Sequence, residues 1–141
     1  MNTWIFQGNP ERYDVADLAK VSDGKTETWL VSRHRAEMEI GDIVYFWRSG
    51  ESEKRGIYAW GSIVGEPEYF ENWGWGVSIK YNKRLPNHIS SQDVSNGKLL
   101  SSHLLFRMPI GTNFRLSVDE ANEVRAVVVE QVGESYAPME V

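Results

Sequence analysis

No cysteine occurs in the 141 residues. Its absence excludes disulfide frameworks, thiolate zinc sites and cysteine nucleophiles together, and it suits a reducing compartment. No apolar run approaches the roughly 20 residues of a membrane-crossing helix. The opening stretch "MNTWIFQGNPERYD" also lacks a basic region leading into a long hydrophobic one. These absences point to a cytoplasmic protein. Positive charge is in short supply, with 15 Lys and Arg against 20 Asp and Glu and a net charge of −5, so a general attraction to phosphate backbones is excluded. Any nucleic-acid partner must be met locally. His34, His88 and His103 lie far apart with no paired-ligand spacing, so neither a metal nor a cofactor is expected. A phosphate-cradling loop and a dinucleotide fingerprint are missing as well, and "GWGVS" at 74–78 imitates a nucleophile elbow only in letters, because its serine lies within an alternating strand.

Tryptophan is what the chain has in quantity: Trp4, Trp29, Trp47, Trp60, Trp73 and Trp75. Such rings serve cores, flat apolar ligands and partner hot spots alike. The length suits a single domain over residues 1–141 with one core. "TWIFQG" (3–8) reads as a first strand, and "NPERYDVADLAKVSDG" (9–24) as helical, with Asn9 as cap and Pro10 in the first turn. "TETWLVS" (26–32) is a second strand, and "RHRAEME" (33–39) a polar segment of one helical turn. "WGVSIKYNKRL" (75–85) alternates as a half-buried strand, and "SNGKLLSSHLLFRM" (95–108) reads as a short helix and loop. "SVDEANEVRAVVVEQV" (117–132) is the clearest helix, with Ser117 and Glu120 spaced as a capping box and Ala121, Val124, Val128 and Val132 along one face. Strands and helices intermix too irregularly for a βαβ repeat, which favours an α+β fold built on a small barrel or curled sheet with flanking helices.

The stretch "DIVYFWRSGESEKRGIYAWGSI" (42–63) predicts a hairpin. With Arg48 opposite Tyr58, Trp47 would face Ala59, Tyr45 would face Gly61 and Ile43 would face Ile63. Two large rings beside two near-absent side chains would leave a slot of about ring size, unless Trp29 or Phe114 fills it.

Five segments in order, "WIFQGNPERY" (4–13), "WLVSRHR" (29–35), "IGDIVYFWRSG" (40–50), "GIYAWGSI" (56–63) and "GTNFRLS" (111–117), resemble the EVE domain family of the PUA-like superfamily. The resemblance implies a mixed β pseudo-barrel with helices at its side and a pocket bordered by aromatics. It also implies kinship to YTH domains, which hold a methylated adenine of RNA, and to domains that hold a modified cytosine flipped from DNA. The implied function is reading a modified base without performing chemistry.

A flipped base needs a flat wall, hydrogen-bond partners at its edge and phosphate contacts at the mouth. Trp47, ending its strand beside a flexible loop, suits the wall, and Trp29 begins the segment that the family places on one side of its pocket. Gln7 and Asn9 offer both donor and acceptor, with Pro10 next in the chain, and Ser49 can reach a base edge. Ala59 and Gly61 would floor the slot, and Phe114 belongs to the "GTNF" segment. Arg33, His34 and Arg35, with Arg48, are the candidates for backbone phosphate. Expected partners are modified DNA or RNA, or a free modified nucleoside, together with nuclease or RNA-processing proteins. Two other readings compete. "GKTE" at 24–27 supplies the Lys, Thr and carboxylate with which some PUA-like relatives hydrolyse modified nucleosides, but neighbours in one loop converge poorly. Trp73 and Trp75 in "YFENWGWG" could instead bind a partner protein.

Overall fold

The computed structural model describes residues 1–8, 17–72, 74–97, 100 and 113–139. Among the described residues seven strands make one mixed sheet: β1 (Thr3–Gly8), β2 (Thr26–Leu30), β3 (Ile43–Arg48), β4 (Gly56–Ile63), β5 (Glu68–Phe70), β6 (Gly74–Ser90) and β7 (Asn113–Leu116). Their order is β2-β6-β4-β3-β1-β7, with β5 paired to β6. β1 and β3 run parallel, and the remaining pairs are antiparallel. Among the described residues the helices are α1 (Ser91–Ser95) and α2 (Val118–Val132). Curling turns the sheet into the expected PUA-like α+β pseudo-barrel.

The alternation of each strand builds two cores from one sheet. Trp4, Phe6, Trp29, Val44, Phe46, Ala59, Val77, Ile79 and Tyr81 gather on the inner face with Leu18 and Val21. Ile5, Tyr45, Trp47, Ile57, Ile89, Phe114 and Leu116 gather on the other, where α2 lays down Val124 and Val128. The capping box forms as expected: Ser117 Oγ accepts from the Glu120 amide (3.1 Å), and Glu120 Oε1 accepts from the Ser117 amide (2.8 Å). A single buried carboxylate sets the entry to β3. Asp42 accepts from the Trp4 indole (2.9 Å), the Glu39 amide (3.0 Å) and the Asn2 amide (3.0 Å), which fixes β1, β3 and the turn before β3 together.

Several expectations are corrected. Residues 17–24 form turns, because Asp17 accepts from the Ala19 amide, Asp23 accepts from the Arg84 amide, and Gly24 takes φ +88°; such side-chain bonds compete with a helix. The rest of the helix expected at 9–24 and most of the segment at 95–108 lie outside the described residues. The hairpin register differs from the expected one by one residue from Ile43 to Phe46 and by two at Trp47 and Arg48. β3 pairs Ile43 with Ser62, Val44 with Gly61, Tyr45 with Trp60 and Phe46 with Ala59, then shifts, so that Trp47 meets Ile57 and Arg48 meets Gly56. Tyr58 is the extra residue of a β-bulge, and it flips every side chain of β4 beyond it relative to β3.

Candidate functional site

The bulge removes the expected slot. Phe46, rather than Trp47, stands opposite Ala59, and a Cβ added at Gly61 would meet Phe46 Cε2 at 3.0 Å and Lys80 O at 2.0 Å. Gly61 is therefore glycine because β6 passes close, and both it and Ala59 are buried in the inner core. Phe46 packs against Trp29 (5.2 Å between centroids) and Tyr81 (4.8 Å). Trp29 also donates its indole N–H to the Tyr81 hydroxyl (2.9 Å), and that hydroxyl donates to the Glu27 carboxylate. Burial, and next the Glu27 contact, push the Tyr81 hydroxyl pKa far up, so it stays a donor. This bond also occupies the carboxylate of the "GKTE" segment, and strand alternation turns Thr26 to the face opposite Glu27.

The parallel strands β1 and β3 end side by side and bring part of the expected set together. Gln7 pairs with Trp47, both face the α2 side, and Ser49 follows on that side, with Phe114 deeper beside Ile5. Ser49 closes the strand ends by donating to the Gly8 carbonyl through both its amide (2.9 Å) and its hydroxyl (3.2 Å). Asn113, at the adjoining end of β7, accepts from the Ser32 amide (2.8 Å) and so holds the segment after β2 against the sheet. Gln7, Ser49 and Asn113 are three of the four buried polar residues among those described; the fourth is Asp42, at the opposite end of β3. Asn9 and Pro10 follow Gly8 in the chain and lie outside the described residues. Trp47 is only 1% exposed, enclosed with Ile5, Ile57, Leu85 and Ile89. A recess of about 350 Å³ lies elsewhere, lined by Met1, Asn2, Thr3, Arg115, Leu116, Ser117, Val118 and Ala121 at the start of β1, and it includes none of the expected site residues.

The expected basic set is divided. Arg48 adjoins Gly56, which pairs with Ser90 at the end of β6, whereas Arg35 stacks its guanidinium 4.6 Å over the Trp75 ring at the start of the same strand. His34 adopts a left-handed φ of 60° and remains exposed, with its ring 5.8 Å from Trp4 and Nδ1 3.6 Å from Glu37. Arg33 is exposed and unengaged among the described residues. Arg48 is half-buried, and its Nε is inaccessible and has no hydrogen-bond partner among the described residues. Sequence reading placed Arg48 among the phosphate contacts but could not show that its Nε would be buried. Trp75, 37% exposed, meets Tyr69 edge-on at 5.7 Å; Trp73, named with it in the protein-interaction reading, lies outside the described residues. Among the described residues no group of three His, Asp or Glu could hold a metal, and no helix is long and apolar enough to cross a membrane.

Comparison with known proteins agrees with this geometry. No curated protein matches the chain in sequence. A protein from Leishmania major is similar at 19% identity over 93% of this chain and 97% of its own, with a TM-score of 0.71. A Rhodopseudomonas palustris protein is similar at 18% identity over 90% and 92%, TM-score 0.71. The human THYN1 protein, in complex with 5-methylcytosine-containing DNA, is similar at 17% identity over 93% and 98%, TM-score 0.71. At these identities the likeness carries the fold. The pattern of the EVE domain matches residues 2–127, nearly the whole chain, and the chain belongs to the EVE domain family.

Proposed function

We propose that this EVE domain binds nucleic acid and reads a modified base without changing it, at the joined ends of β1, β3 and β7. One observation carries the reading: the family's fold is the one in which human THYN1 is seen on 5-methylcytosine DNA. The chain's own residues support it. Gln7 and Ser49 bring an amide and a hydroxyl, the groups that a base edge requires, to the same side of the sheet as the Trp47 ring, which is enclosed in the free protein and would offer its face to a base only after the strand ends open. Asn9 and Pro10 continue from that point, while Trp29 and Phe114 back the strands from either face. Arg33, exposed and unengaged, and Arg48 are the phosphate contacts, whereas His34 and Arg35 serve the fold through Trp4 and Trp75. The domain would act in the cytoplasm, beside nucleases or RNA-processing proteins.

The test is binding of single- and double-stranded oligonucleotides, with and without 5-methylcytosine or N6-methyladenine, followed by fluorescence anisotropy and then mass spectrometry. The expected result is tighter binding of one modified strand, recovered chemically unchanged. Affinity should fall only shallowly with salt, corresponding to roughly one to three phosphates. Equal affinity for modified and plain strands, or a base altered after incubation, would refute the reading.

A further inference from the structure

Tyr69 and Trp75 are large rings that the fold leaves in solvent, 60% and 37% exposed. Pairing of β5 with β6 sets them opposite each other, where they meet edge-on at 5.7 Å and 69°, so the ladder itself fixes the corner they form. One cation already uses it: the Arg35 guanidinium lies 4.6 Å from the centre of the Trp75 ring. Tyr69, the more exposed ring, has no cation over it among the described residues. The charge around the corner has one sign. Residues 66–71, "EPEYFE", carry Glu66, Glu68 and Glu71 and no Lys or Arg, and all three carboxylates are exposed. None of them makes an ion pair or hydrogen bond among the described residues, whereas Glu37, Glu51 and Glu134 elsewhere each meet a cation. Three carboxylates outweigh Arg35 there, and a further cation is attracted.

The main chain is open as well. The Trp75 carbonyl accepts from the Val31 amide on the β2 side (3.0 Å), so Tyr69 and Trp75 form a non-hydrogen-bonded pair, and the N–H and C=O of Tyr69 point away from β6. No strand pairs with β5 on that edge among the described residues. Carboxylates along an edge turn away another acidic chain, this one included with its net charge of −5, and admit a basic one. We propose that the β5 edge is a docking surface for an extended, arginine-rich segment of a partner protein. The segment's main chain adds to β5 at Tyr69, one guanidinium covers the Tyr69 ring, and the residues on either side, which alternate to the opposite face, meet Glu68. This surface stands on its own observations and does not depend on base reading.

The probe is a capped hexa-arginine peptide, with hexa-citrulline, similar in shape and uncharged, as its control. In ¹H–¹⁵N spectra of the full chain, hexa-arginine should move the Trp75 indole N–H, assigned by its loss in Trp75→Phe, together with the Tyr69 amide. Hexa-citrulline should leave both in place. Tyr69→Ala changes no charge and truncates an exposed ring, so it should keep its melting temperature and bind hexa-arginine about two- to fivefold more weakly, the range for one exposed cation–π contact. Glu68→Gln should weaken binding and flatten its salt dependence. Binding undiminished in Tyr69→Ala, or shifts spread over the acidic surface while Trp75 and Tyr69 stay still, would mean diffuse attraction and overturn the surface. A DNA or RNA strand that moves these two resonances where the peptide does not would overturn it too, and give the corner to nucleic acid.

Discussion

Trp47 is where the packing and the proposed function make separable demands. At 1% exposure its ring is part of the core between the sheet and α2, so Trp47→Ala opens a cavity among Ile5, Ile57, Leu85 and Ile89. Truncating a buried aromatic costs about 3–5 kcal/mol, a third or more of what a domain of this size has at its disposal. The melting temperature should drop by about 10–20 °C, and an affinity measured on that variant would report unfolding. Trp47→Leu keeps apolar volume and removes only the flat face. It should melt higher than Trp47→Ala, retain its far-ultraviolet circular dichroism, and, if opening of the strand ends brings the ring to the base, lose about 1–3 kcal/mol of affinity for the modified strand, the range for one stacked base. Urea denaturation and anisotropy on the same samples separate the two effects. A Trp47→Ala loss below about 1 kcal/mol would refute the enclosure argued here. A folded Trp47→Leu with undiminished affinity and modification preference would remove the ring from the site.

Three further outcomes follow from the geometry. Asp42→Ala strands three donors, from Trp4, Glu39 and Asn2, and should cost about 2–4 kcal/mol in urea denaturation; a loss under about 1 kcal/mol would mean that water replaces the carboxylate. Burial raises the hydroxyl pKa of both Tyr45 and Tyr81, so above about pH 10 the unfolded chain sheds protons that the folded chain keeps. Stability should therefore be unaffected by them below about pH 10 and fall above it by about 1.4 kcal/mol per pH unit for each tyrosine, with Tyr81→Phe removing about half of the slope; an unchanged slope would show that Tyr81 ionises freely. Ser117→Ala breaks the capping box and should cost about 1 kcal/mol, read as a shift of the urea midpoint at constant m-value.

Elements whose causes are local were legible in the sequence. The capping residues Ser117 and Glu120 lie three apart and need nothing from the rest of the fold, and the strand at 75–85 carries its own alternation. β6 nevertheless continues to Ser90, past Pro86, where a strand reading stops because proline lacks an N–H. Pairing with β4 jumps from Ala59–Arg84 to Ile57–Ile89, so Pro86 falls within the irregular stretch and no ladder bond is asked of it. The same irregularity sets the extra residue Tyr58, and no letter in "GIYAWGSI" marks it. A bulge is decided by how two partners fit β4 at once. β7, four residues long and paired with β1 across more than a hundred residues of chain, was likewise visible only as a family motif.

That one-residue shift also explains why the site was half legible. The sequence offers ring, amide, hydroxyl and cation as residue types, but the side of the sheet each takes depends on register. The α2 side receives Trp47 with Gln7 and Ser49, while Ala59, Gly61 and Trp29 go to the inner core, where Phe46 fills the space once assigned to a ligand. Proximity along the chain misled most for the cations. Arg33, His34 and Arg35 look like one cluster in sequence, yet the left-handed turn at His34 sends its ring to Trp4 and leaves Arg35 over Trp75. Both contacts engage those side chains with the fold, and a cation already held over an indole has less to give a phosphate. Under the function proposed above, an acidic chain would then rely on Arg33 and Arg48 for phosphate, and a reader so built would draw most of its affinity from the base itself. The shallow salt dependence expected of it is therefore a consequence of where two rings hold two side chains, as much as of the net charge.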